Sequence, residues 1–206
     1  MVREQEMITI EKFETIRNKY GNYASWALWL KQTDKPKSNI GDMRIFDQRF
    51  NPNLLNSINT DVVMVGLNIS RSFSEHFKNF HDDYPRANDF KIRYAFEGTR
   101  YYGAYMTDII KGLEIVDSKD LATLLKRNPE IILSNIKTFR EELRDLSTRP
   151  PLVLAFGREA YAILNKNLSK NEYSNLIKIT HYSHQISKEN YQETVLGQIH
   201  RTLSAS

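Results

Sequence analysis

A chain of 206 residues is long enough for one well-buried core, and its 29 Lys and Arg against 25 Asp and Glu leave a formal charge of +4, a mild excess that admits a nucleic-acid partner without singling one out. The absence of cysteine excludes disulfides, thiolate metal ligands and cysteine nucleophiles. The histidines, His76, His81, His181, His184 and His200, contain no His-x-x-x-His pair, so no metal site is expected, and no apolar run reaches the length of a membrane span.

The first residues, MVREQEMITI, lack the apolar core and cleavage site of a signal peptide, and an intracellular protein without membrane contact is expected. From Ile8 to Leu30 the apolar positions Phe13, Ile16, Tyr20, Tyr23, Trp26 and Trp29 recur at three- and four-residue spacing, which predicts a helix weakened in its middle by Gly21. Such an aromatic stripe reads as core packed against a sheet. Pro36, Gly41 and Pro52 then punctuate a long connection with a short helix or turn near Asn53 to Ile58. Residues 1–60 thus read as a helical extension and connection to a single domain.

Val62 to Val65 form an uninterrupted apolar run, the pattern of a strand buried on both faces of a mostly parallel sheet. Gly66 follows at its carboxyl end, where open α/β sheets bind ligands, and the turn hands Asn68 to such a crevice. Asn68 and Ser70 also fit as turn and capping residues before a helix starting near Arg71. Arg71 to Phe80 reads as a helix or ordered loop. Beyond it, Phe90, Tyr94, Phe96, Tyr101, Tyr102 and Tyr105 alternate with Lys91, Arg93, Arg100 and Lys111, a mixture suited either to phosphate contacts beside stacked bases or to a half-buried surface.

Gly103 to Thr107 predicts a second strand that ends near Asp108. Ser118 can cap a helix running to about Arg127, and Asn128 before Pro129 marks a second helix start, with Ile132, Ile136, Phe139, Leu143 and Leu146 as its apolar face. Leu152 to Phe156 is a third buried strand, and Gly157 turns it into a helix. Leu176 to Thr180 is the fourth, delivering His181-Tyr182-Ser183-His184 before a closing helix from Lys188 to Leu203. Strands alternating with helices predict a three-layer α/β/α sandwich around a four-stranded, mostly parallel sheet.

Four blocks in this order, VVMVGLNIS, YMTDIIKG, LVLAFGREAY and ITHYSHQIS, together resemble the uracil-DNA glycosylase superfamily. The resemblance implies a DNA-facing pocket at the strand ends, hydrolysis of the N-glycosidic bond of a flipped base, and no cofactor. Gly66, Leu67 and Asn68 match the first half of the motif of the mismatch-processing branch, in which the asparagine positions water; Ile69 and Ser70 replace its proline and glycine. His181 and Ser183 match the late motif, whose histidine faces the departing base, with Tyr182 in place of proline and His184 as a rival for the position. Thr107 matches a threonine, whereas Asp108 stands where a base-reading asparagine is expected. Asparagine offers a donor and an acceptor to a base edge, and an ionised aspartate only accepts.

For a glycosylase, Asn68 would orient water and His181 would stabilise the leaving base. Gly66, Leu67, Ser70, Thr107, Asp108, Ser183 and His184 would line the site, Tyr84 and Phe90 would stack on the base, and Arg71, Lys91, Arg93 and Arg100 would hold DNA phosphates. The altered motifs equally suit an inactive nucleic-acid-binding or protein-interaction module on the same fold. A third reading is an enzyme acting on free nucleosides or nucleotides. No particular protein partner is indicated.

Overall fold

The structure, a computed structural model, describes residues 7–69, 73–115 and 117–205, the side chain of Ser118 excepted. Its elements in chain order are α1 (Ile10–Tyr20), β1 (Ala24–Trp26), a 3₁₀ turn (Met43–Phe46), α2 (Leu54–Ser57), β2 (Asn59–Asn68), α3 (Phe90–Phe96), β3 (Ala104–Ile110), α4 (Ser118–Arg127), α5 (Pro129–Leu146), β4 (Leu152–Phe156), α6 (Gly157–Asn167), β5 (Asn175–Ile179) and α7 (Lys188–Ser204). The strands form one sheet in the order β1-β3-β2-β4-β5. β3, β2, β4 and β5 run parallel, and β1 is antiparallel to β3.

The uninterrupted apolar run of β2 arises because alternate side chains enter two different cores. Val63 and Val65 pack with Tyr105, Val153 and Ala155 beneath α1, α4, α5 and α6. Val62 and Met64 pack with Met106, Leu154 and Ile177 beneath α3 and α7. Both faces of the sheet are therefore covered by helices. Each buried aliphatic or phenyl side chain contributes about 1.5–3 kcal/mol of transfer free energy, which strongly disfavours a one-residue slip that would exchange the faces.

The helix expected from Ile8 to Leu30 stops at Tyr20. Thr9 caps its start through Lys12 N, and Gly21 closes its end, where a Cβ would lie 2.4 Å from Arg17 O and 2.9 Å from His76. The aromatic spacing continues past that stop because Ala24, Ser25 and Trp26 form a buried strand instead. Trp26 packs edge-on to Tyr105 at 5.2 Å between ring centres. Residues 1–60 are thus no mere extension: they supply the fifth, antiparallel edge strand.

Two helix starts also differ from expectation. Asp117, not Ser118, caps α4, accepting from Lys119 N and Asp120 N. Asn128 makes no side-chain cap for α5; its amide donates back to Leu124 O and closes α4. No helix among the described residues is long and apolar enough to cross a membrane.

Candidate active site at the carboxyl edge of the sheet

Parallel strands bring their carboxyl ends to one edge, and a cavity of about 780 Å³ opens there. β2 contributes Leu67 and Asn68, β3 contributes Asp108, the β4–α6 junction contributes Phe156 and Arg158, and the turn after β5 contributes His181, Tyr182 and Ser183. The loop between β2 and α3 closes it with Asn79, Phe80, Asp82, Tyr84 and Arg86. Asn68, Asp108 and His181, distant in sequence, therefore line one cavity.

Asn68 is partly buried, and its amide nitrogen donates to Ile69 O at 3.1 Å, Leu113 O at 3.3 Å and Ile115 O at 2.8 Å. These bonds fasten the end of β2 to the segment after β3. The carboxamide oxygen takes no part in them.

Asp108 is buried and pairs in register with Gly66. Its Oδ2 accepts from Asn79 Nδ2 at 2.8 Å, and its backbone oxygen accepts from Lys111 Nζ at 2.7 Å. Burial pushes its carboxyl up to about 7, against the opposing effects of Asn79 and Lys111. Lys111 in turn pairs with the buried Glu142 of α5 at 2.7 Å, and Glu142 accepts from Tyr105 OH at 2.9 Å. A buried polar network thus fixes the end of β3 from behind.

His181 Nδ1 lies 2.8 Å from Ser183 Oγ and accepts from Ser183 N at 3.1 Å. That backbone donor puts the proton of the neutral ring on Nε2. Desolvation pulls the imidazole down to about 4, so the ring is neutral at physiological pH. Gln198 and Tyr191 of α7 hold the turn by bonds to Thr180. The His181 ring stacks on Tyr182 at 4.3 Å, and Tyr182 meets Phe156 and Phe80 edge-on at 5.3 Å and 6.3 Å.

Asn79 and Phe80 had no periodic signal in the sequence, yet they enter the cavity on a tightly held loop. Phe77 and Phe80 both take positive φ, of 64° and 65°. Such backbone costs of order 1 kcal/mol or more and persists where its surroundings over-determine it. Here Phe77 N donates to Gly21 O, Ser25 Oγ donates to Phe77 O, and Phe80 N donates to Asn79 Oδ1. The buried His81 adds contacts to Leu28 O and Asn79 O and stacks on Trp29 at 5.0 Å.

Other expected site residues fall elsewhere. Thr107 is fully buried on the opposite face from Asp108, and Gly66 lies beneath the Asp108 carboxyl. Phe90 sits outside the cavity with Lys37 Nζ 5.3 Å from its ring centre, whereas Tyr84 is exposed on the rim. His184 is exposed and outside the cavity; its backbone oxygen accepts from Lys91 Nζ. Lys91 is thereby withdrawn from phosphate binding. Arg93 is 1% exposed, with its guanidinium spent on Leu30 O, Pro36 O and Ser38 O, because this cation pins the 30–38 loop. Arg100 precedes β3, at the end remote from Asp108. Ser70 and Arg71 lie outside the described residues. Arg86 and Arg158, which the sequence did not single out, are the exposed cations on the cavity lining.

Among the described residues no group of three or more His, Asp or Glu side chains is placed to hold a metal ion. Comparisons with protein-family models, curated proteins and solved structures return no significant match to this chain.

Proposed function

We propose that this protein is a DNA base-excision glycosylase on a three-layer α/β/α domain of the uracil-DNA glycosylase type, acting inside the cell without metal or organic cofactor. One observation carries the reading: Asn68, Asp108 and His181 reach a single cavity from three separate strand ends, beside a wall of aromatic rings. A base flipped from the duplex presents flat faces to Phe80, Phe156 and Tyr182, and a polar edge to Asp108. The Asn68 oxygen would orient water toward the sugar carbon. Neutral His181 would donate Nε2–H to an oxygen of the departing base as negative charge develops there, an electrostatic contribution that needs no proton transfer. Asn68 is a poor base, so the rate would depend on positioning and charge stabilisation.

A second reading, a non-catalytic nucleic-acid-binding module on the same fold, draws on the bonding of Asn68. Its three bonds to backbone carbonyls give it a fastening role that requires no chemistry. Labelled oligonucleotides containing uracil, hypoxanthine, xanthine, mismatched thymine or an amino-bearing modified cytosine or adenine, incubated with the protein and then cleaved in alkali, separate the two. Strand breaks at one modified base are expected. Intact strands throughout, from folded protein that still binds DNA, would leave the module.

A further inference from the structure

The cavity holds a carboxyl group whose two oxygens are unequal. Asp108 Oδ2 receives the Asn79 amide at 2.8 Å, and that amide is itself fixed by a bond to Tyr23 O at 2.7 Å. Asn79 therefore holds Oδ2 in the role of acceptor. Oδ1 lies over the Cα of Gly66, and no donor among the described residues meets it. A carboxylate oxygen open to the cavity meets water there until a ligand donor takes its place. Asp108 lines the cavity. Oδ1 is the atom left to meet what binds there.

We propose that Asp108 selects the bound base through Oδ1 by accepting a hydrogen bond from an amino group, so that the site prefers amino-bearing bases to their oxo counterparts. The proposal rests on the base-excision reading of the cavity and names its substrate class. An exocyclic amino group turns N–H donors toward the carboxylate. A carbonyl in the same place sets oxygen against oxygen, with no proton between them. Adenine against hypoxanthine, and cytosine against uracil, isolate this difference. The aromatic wall of Phe80, Phe156 and Tyr182 grips either ring face alike, so discrimination falls to the edge.

The preference belongs to the ionised carboxylate. Its neighbours are Lys111 on β3's exit, Glu142 on α5 and Tyr182 after β5, and Tyr182 in turn faces Asp82 and Asp89 on the closing loop. Lys111 favours ionisation, Glu142 and burial oppose it, and the balance falls about 7. A proton on Asp108 would sit on Oδ1, since Oδ2 already accepts, and would turn the selecting atom into a donor. Amino selectivity is therefore greatest above neutrality and weakens as the solution is acidified.

Ligand-observed NMR titrations of the full chain with cytidine, uridine, adenosine and inosine at about pH 8 test this, with the ionised form in excess. Cytidine is expected to bind roughly tenfold or more tighter than uridine, and adenosine than inosine, the scale of one charge-assisted hydrogen bond. Asp108→Asn should bring both ratios close to one, because an amide meets either edge. Equal or tighter binding of the oxo nucleosides by the wild type would overturn the proposal while leaving base excision standing. Binding of none of the four would overturn it together with the reading of the cavity as a base pocket. An amino preference in a protein inert on every oligonucleotide would sustain it and remove only the chemistry.

Discussion

The Oδ1 atom of Asp108 lies across the Cα of Gly66, so close that a Cβ at position 66 would fall 2.2 Å from it. The two residues are register partners on adjacent parallel strands. Gly66 is thus required by the side chain beside it, since its φ is not positive. Gly66→Ala should displace the carboxyl and destabilise the fold by about 1–3 kcal/mol, the cost of overpacking a core. Asp108→Ala in the same chain should recover most of that loss, and denaturant unfolding of the two single variants and the double variant measures the coupling. Additive costs would refute the contact.

The Asp108 carboxyl also makes stability depend on pH. Its folded value is raised from 3.8 to about 7, so between these limits the folded chain binds more protons than the unfolded chain. The stabilising contribution is complete below the unfolded value and is lost as pH rises through about 7. Asp108→Asn removes this loss and should gain stability relative to wild type at pH 8, on the order of 4 kcal/mol at most. Thermal unfolding at pH 5 and pH 8 should show the gap between the two proteins widening with pH. A constant gap would mean that Asp108 stays ionised throughout.

Much of this arrangement was legible in the residues. Val62 to Val65, Ala104 to Thr107, Leu152 to Phe156 and Leu176 to Thr180 were expected as strands from their apolar side chains, and all four are parallel neighbours, the last running from Asn175 to Ile179. β1 was illegible because Trp26 and Trp29 prolong the three-residue spacing of α1 beyond its end. Periodicity cannot separate a short strand buried on both sides from one more helical turn. Asn68, Asp108 and His181 were found from their places at the expected strand ends, which topology alone brings together, although β2 and β3 run on through Asn68 and past Asp108. Asn79 and Phe80 were missed because their loop is held by tertiary bonds to Gly21 and Ser25, which leave no local pattern.

Asn68→Ala should have two separable effects. Removing the amide leaves Ile69 O, Leu113 O and Ile115 O without that donor, at a cost of about 1–3 kcal/mol. If Asn68 also orients water, single-turnover cleavage of whichever base is excised should fall far more than DNA affinity, since only a transition-state interaction is removed. The comparison is made at a temperature where both proteins are folded, as judged by circular dichroism. Equal cleavage rates would leave Asn68 with its fastening role alone.

DNA binding should be salt-dependent and should draw on Arg86 and Arg158. Both are exposed on the cavity lining, and among the described residues Arg158 has a long, solvent-exposed ion pair with Glu159 at 3.3 Å. Such a surface pair is worth little and yields readily to a phosphate. The remaining cations near the aromatic stretch are occupied or remote: Lys91 holds His184 O, Arg93 holds the 30–38 loop, and Arg100 lies at the amino end of β3. Removing one cation that neutralises a phosphate should reduce the slope of log affinity against log salt by about 0.9 on duplex DNA. Titration of fluorescent duplex at several salt concentrations should therefore give a shallower slope for Arg86→Ala and Arg158→Ala, with thermal stability unchanged. Arg93→Ala should do the reverse, keeping the slope and losing stability, because three loop carbonyls lose their donor. An unchanged slope in the Arg86 and Arg158 variants, or a reduced one in a folded Arg93 variant, would place the DNA on another surface.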